Sequence, residues 1–142
     1  MAEGSGILLV EDNPDDEALT IRALRRKGIA NEITVARDGA EALELLHEGR
    51  SAGRPPDLVI LDLKLPKIEG IDVLRRIRAN PGTRSLPVVV LTSSDEQQDI
   101  VRSYELGANS FVSKPVEFES FLEAVGELGL YWLLLNRSPG QA

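Results

Sequence analysis

The chain of 142 residues contains no cysteine. Disulfides and thiolate metal sites are therefore excluded, and any metal must be held through oxygen or the lone imidazole. No stretch approaches the roughly 20 apolar residues of a membrane span. The opening Met1-Ala2-Glu3-Gly4-Ser5-Gly6 has neither the basic nor the apolar region of a secretory signal. Positive charge is also short, with 16 Lys and Arg against 23 Asp and Glu for a net −7. Such a balance disfavours nonspecific nucleic-acid binding, which depends on neutralising phosphates. The expectation is a cytoplasmic protein that binds neither membrane nor nucleic acid. The length suits one domain, expected over 1–142 with its core at about 6–127, and a domain this size buries roughly 68–70% of its unfolded surface.

The acids that are present fall at telling places. Ile7-Leu8-Leu9-Val10 runs straight into Glu11-Asp12-Asn13-Pro14. An aliphatic run without alternation predicts a strand buried on both faces, as in a parallel sheet. Asn13 suits a helix N-cap, Pro14 the first helical position, and Asp15, Asp16 and Glu17 the positive end of the helix dipole. Leu58-Val59-Ile60-Leu61 repeats the form and leads into Asp62. If both strands are central and adjacent, Glu11, Asp12 and Asp62 meet at one edge. Three carboxylates so close disfavour one another's charge unless a cation compensates, and Mg²⁺ is the hard divalent ion expected.

The rest of the chain alternates in the same manner. The first helix is expected over about Pro14 to Lys27, then a short edge strand Glu32–Ala36. Asp38 and Glu41 form a capping-box pattern for a second helix ending at Gly49. A third helix covers about Gly70 to Ala79 with Val73, Leu74 and Ile77 inward. Pro87 precedes a fourth strand, Val88–Leu91, running into Thr92. A weakly patterned fourth helix spans about Asp95 to Leu106, Gly107 ends it, and Ser110–Ser113 makes a fifth strand before Lys114-Pro115. A last helix begins near Val116. The fold expected is α/β, a doubly wound five-stranded parallel sheet of order 2-1-3-4-5 with five helices. That order puts the switch point between the first and third strands, where the acids are. The basic clusters Arg25-Arg26-Lys27 and Arg75-Arg76-Arg78 fall late in helices and read as solvated faces. His47, the only histidine, reads as a surface residue of the second helix.

Four strand ends thus bring Glu11 and Asp12, Asp62, Thr92 and Lys114 to one rim. In this order the stretches Leu9-Val10-Glu11-Asp12, Leu61-Asp62-Leu63-Lys64-Leu65-Pro66 with Gly70 beyond, Val90-Leu91-Thr92-Ser93 and Leu106-Gly107-Ala108-Asn109 leading to Lys114-Pro115 resemble the receiver domain of two-component response regulators, a flavodoxin-like fold. The resemblance covers essentially the whole chain. It implies that Asp62 accepts a phosphoryl group from a kinase phosphohistidine. It also implies that Glu11, Asp12, Asp62 and the backbone carbonyl of Lys64 serve Mg²⁺, and that Lys114 and Thr92 contact phosphoryl oxygens. Pro115 resembles the family's cis-proline, Thr92 its switch residue, and Phe111 its coupled aromatic. Ser93 departs from the family's usual Ala or Gly, and Lys64 is a bulky cation at the site's edge.

The final helix carries Phe118, Phe121, Leu122, Val125, Leu128, Trp132 and Leu135 at coiled-coil-like spacing. Leu130, Tyr131, Leu133 and Leu134 lie off that stripe, so an extension at about 128–136 is apolar nearly all round. A homodimer through this helix is the expected partner surface. The tail, with Glu11-Asp12-Asn13-Pro14 and Leu63-Lys64-Leu65-Pro66-Lys67, resembles the single-domain regulators of bacterial phytochrome histidine kinases. The leading expectation is a stand-alone response regulator that catalyses only its own phosphorylation and dephosphorylation. One alternative is a receiver-like module that never meets phosphate. The other is a Mg²⁺ phosphohydrolase with an aspartyl-phosphate intermediate, although such enzymes carry a second acid where Lys64 stands.

Overall fold

Strand residues alternate between the two faces of a sheet, and here that alternation divides the core in two. Leu8, Val10, Val59, Leu61, Val88 and Val90 face one side, while Ile7, Leu9, Leu58, Ile60, Val89 and Leu91 face the other. Both sets are buried, so continuous aliphatic runs with no polar face are what these strands require. The computed structural model describes residues 6–26, 31–52, 56–65, 68–92, 105–108 and 110–113. Over these it shows β1 (Gly6–Val10), α1 (Pro14–Arg26), β2 (Glu32–Ala36), α2 (Gly39–Ala52), β3 (Leu58–Asp62), α3 (Gly70–Ala79), β4 (Val88–Thr92) and β5 (Ser110–Ser113).

The five strands form one parallel sheet in the order β2-β1-β3-β4-β5. Every pairing is parallel, and the register sets Val10 beside Leu61 and Asp62 beside Leu91. β2 lies at an edge and shows it, with Glu32 and Thr34 exposed and Ala36 buried. The face carrying Leu8 and Val59 packs on α2 and α3 through Ala42, Leu46, Val73, Leu74 and Ile77. The opposite face packs on α1 through Leu24, with Ile21 against it. The fourth expected helix before Glu105, the fifth expected helix, the Ser93 position and the C-terminal extension lie outside the described residues.

Helix termini follow their local chemistry. Asn13 Oδ1 accepts the Asp15 and Asp16 amides at 2.8 and 3.0 Å, so Asn13 caps α1 as its side chain predicts. Asp38 Oδ1 accepts the Glu41 amide at 2.8 Å, while Glu41 Oε1 accepts the Arg37 amide at 2.8 Å. The return half of this capping box thus reaches one residue further back than the standard pattern. α2 continues to Ala52 rather than stopping at Gly49. A lone glycine costs a helix only about 1 kcal/mol, and Arg50, Ser51 and Ala52 can continue it. At the end of α3 the Thr83 hydroxyl donates to the Ile77 carbonyl at 2.8 Å, satisfying an acceptor that the helix end leaves open.

One expectation is overturned. Arg75 and Arg76 are exposed, but Arg78 is half-buried and does not belong to a solvated face. It continues the inward stripe one turn beyond Leu74, and its guanidinium donates to backbone carbonyls. Burial lowers its pKa from the ordinary arginine value, and the group remains a cation at neutral pH.

Leu74 is fully buried between α3 and the sheet. Leu74→Ala is expected to lower the unfolding free energy by about 2–5 kcal/mol. Urea denaturation checks this, with the midpoint falling and the slope unchanged.

Candidate phosphoacceptor and metal site

The site is built where the sheet reverses its direction of winding. β1 and β3 are neighbours, and the chain leaves them on opposite faces, toward α1 and toward α3. A crevice must open between their carboxyl ends, which is where such sheets hold ligands. The residues after Val10 and Leu61 fall there, and these are Glu11-Asp12 and Asp62.

Glu11, Asp12 and Asp62 each offer a carboxylate oxygen, and these oxygens lie within 4.8 Å of one another. Glu11 is fully buried, Asp62 is 3% exposed and Asp12 is exposed. The trio therefore grades from the interior to water, with Asp12 at the mouth. Glu11 is held at both ends: its amide donates to the Ala36 carbonyl at 2.9 Å, and its Oε2 accepts the Asn13 amide at 3.3 Å. Asp62 Oδ1 accepts the Lys64 amide at 3.1 Å, which fixes one oxygen of that carboxylate. An oxygen-only set of three acids suits a hard divalent cation, so the residues present fit the metal the sequence implied.

The loop after Asp62 is held by α3. The Leu63 amide donates to the Leu91 carbonyl at 3.2 Å, and the Gly70 amide donates to the Leu63 carbonyl at 3.0 Å. Gly70 is where helix and loop touch. A Cβ there would stand 2.3 Å from the Asp62 carbonyl oxygen and 2.5 Å from Leu63 Cα. Both are backbone atoms that cannot swing away, so only glycine lets α3 start this close to the acid.

Arg37 follows Ala36 at the end of β2, one strand out from Glu11, yet its guanidinium bonds Glu17 of α1 at 2.5 and 3.3 Å. The Arg37 side chain is 55% exposed and that of Glu17 16%, so the arginine covers the glutamate. This pair ties β2 to α1 beside the acids. Sequence pattern gave no hint of it, because residues 20 apart in the chain pair only through the fold.

Of the other expected site residues, Thr92 ends β4 level with Ser113, and Phe111 lies level with Val90 in β5. Lys64 is exposed at the edge of the site. His47 falls on α2, away from the acidic edge. Lys114, Pro115 and the C-terminal Leu130, Tyr131, Leu133 and Leu134 lie outside the described residues. No described helix is long and apolar enough to cross a membrane.

This arrangement belongs to the response regulator receiver domain family, whose pattern matches residues 7–126 of the chain. Among solved structures, the bacteriophytochrome response regulator AtBRR is 52% identical with a TM-score of 0.84, covering 94% of this chain and 99% of that one. The response regulator Rcp1 of Synechocystis sp. (strain ATCC 27184 / PCC 6803 / Kazusa) is 38% identical over 129 residues, 89% of this chain and 88% of the relative. A crystal structure of Rcp1 in its Mn(2+)-bound form superposes with a TM-score of 0.74 at 36% identity, over 95% of this chain and 99% of that one. FilR2 of Methanothrix harundinacea (strain 6Ac), a probable methanogenesis regulatory protein, is 44% identical over 137 residues, 96% of this chain and 88% of the relative.

Gly70→Ala is expected to destabilise the protein by about 1–3 kcal/mol through the forced shift of backbone at Asp62 and Leu63. The urea midpoint measures it.

Proposed function

We propose that this receiver domain is a stand-alone response regulator that takes a phosphoryl group from the phosphohistidine of a histidine kinase onto Asp62. The observation that carries the reading is the meeting of Glu11, Asp12 and Asp62 at the switch point, with Asp62 buried and pinned by the Lys64 amide. An Asp62 carboxylate oxygen attacks phosphorus in line. The new O–P bond forms as the P–N bond to the kinase imidazole breaks, and the imidazole leaves with the electron pair and takes up a proton. The Lys64 amide, donating to Oδ1 at 3.1 Å, restrains the orientation of the attacking carboxylate.

Glu11, Asp12, Asp62 and the Lys64 backbone carbonyl are the groups proposed to hold Mg²⁺. When bound, the ion offsets charge on the carboxylates and on the transferring phosphoryl oxygens. Glu11 and Asp12 serve by position: consecutive residues on one strand end present a buried oxygen and a water-facing one, so the cation site is anchored inside and open outside. Thr92 and Lys114 would supply a hydroxyl and an ammonium to the phosphoryl group. The Mn(2+)-bound form of Rcp1 supports a divalent ion in this family. Catalysis is confined to the protein's own phosphorylation and dephosphorylation.

The relatives support a bacteriophytochrome as the cognate kinase, since AtBRR and a second structure, RtBRR, are bacteriophytochrome response regulators. A cytoplasmic setting and output through a homodimer built on Leu130, Tyr131, Leu133 and Leu134 complete the proposal. Leu133→Glu is expected to convert the dimer to a monomer by sedimentation velocity; an unchanged mass would remove the C-terminal helix from the interface.

Incubation with acetyl phosphate and Mg²⁺ is expected to add one phosphoryl group by intact mass, with none on Asp62→Asn or after chelation. Labelling that survives Asp62→Asn would show that the acceptor is elsewhere. Asp12→Asn is expected to weaken Mg²⁺ binding about 10–100-fold, the scale of losing one anionic oxygen from a metal's surroundings.

A further inference from the structure

Arg78 makes a connection that the phosphoacceptor chemistry does not use. Its Nε and Nη2 donate to the Gly107 carbonyl at 2.9 and 2.6 Å. Nη1 donates to the carbonyls of Leu86 at 2.7 Å and Arg84 at 3.0 Å. One side chain from the end of α3 thus holds two connections that lie apart in sequence. Residues 84–86 lead into β4, and Gly107 leads into β5.

Gly107 is adapted to this contact in two ways. Its φ of +100° is one that a residue with a side chain rarely adopts. A Cβ there would also lie 2.7 Å from Arg78 Nε, in the place the guanidinium occupies. Hydrogen bonds from a charged donor to partly buried carbonyls are stronger than neutral ones.

β5 is the strand that needs such a hold. It is four residues long, lies at the sheet edge and pairs with β4 alone. Val112 is the β5 residue placed in the described core. A short edge strand with serine at both ends fixes its own register weakly. Yet register decides what stands at the functional rim, because Thr92 is level with Ser113, the residue before Lys114 in the chain.

We propose that Arg78 is a positioning residue: it clasps the amino ends of β4 and β5 together, and so fixes the register with which these strands deliver their carboxyl ends to the phosphoryl site. The carboxylate cluster comes from β1 and β3, which the clasp does not touch, so cation binding and phosphoryl chemistry should separate on its loss. That second consequence rests on the phosphoacceptor reading, whereas the hold on β5 does not.

The experiment is amide hydrogen exchange on the full chain for wild type, Arg78→Met and Arg78→Lys, alongside Mg²⁺ titration and acetyl phosphate labelling. Methionine keeps the apolar stem and removes every donor; lysine keeps the charge and can reach a carbonyl without spanning both connections. Exchange at residues 110–113 is expected to rise about tenfold in Arg78→Met and less in Arg78→Lys, the scale of losing one charged hydrogen bond. β1 and β3 amides and the Mg²⁺ midpoint should hold, while the labelling rate falls about tenfold. Unchanged β5 exchange in Arg78→Met, or a uniform rise across β1 and β3 in both variants, overturns the clasp. Altered β5 exchange with a normal labelling rate overturns its link to the phosphoryl site. Wild type that takes no label while β5 exchange responds would sink the phosphoacceptor reading and leave the clasp standing.

Discussion

Like charges held together against their repulsion are the constraint on which this structure turns. Carboxylate oxygens of Glu11, Asp12 and Asp62 within 4.8 Å would drift apart on flexible chain. They stay because each sits at the end of, or just beyond, a strand whose aliphatic residues are buried, and because the strands carrying them are bonded neighbours. The hydrophobic core therefore does electrostatic work, with burial of Ile7 to Val10 and Leu58 to Leu61 holding an arrangement that the acids oppose. A cation is the class of ligand for which such repulsion becomes affinity.

The same logic explains the surrounding loop. Asp62 is buried, and the described support around it comes from the backbone. The Lys64 amide, the Leu63–Leu91 ladder bond and the close approach of Gly70 supply it with main-chain atoms. Arg37 illustrates the complementary restraint. Its guanidinium bonds both carboxylate oxygens of Glu17 and so joins the end of β2 to α1.

Much of this was legible in the chain because the signals were local. Aliphatic runs bounded by acids marked β1 and β3, capping residues marked the helix starts, and alternation of element types left few topologies to choose from. The acids converged as strand order required. What the sequence hid was long-range: the Arg37–Glu17 pair, the reason for glycine at 70, and Arg78 inside a run of arginines that otherwise faces water. For Arg78 one local cue existed. It stands four residues after Leu74, on the inward face, where a long apolar stem can follow the stripe while its charged end seeks acceptors.

That cue bears on how a receiver sheet divides its labour. β1 and β3 are central, packed on both faces, and need nothing beyond their own side chains to stay in register. β5 borders the sheet and cannot draw on a second neighbour, so its placement is delegated to a contact outside the sheet. Separating the two tasks has a functional sense. A cation site benefits from rigidity, because anions held in place pay their repulsion before the ion arrives. Groups that follow a phosphoryl group must instead respond to it, and a strand held at one end by a polar clasp can shift at the other without unpacking the core.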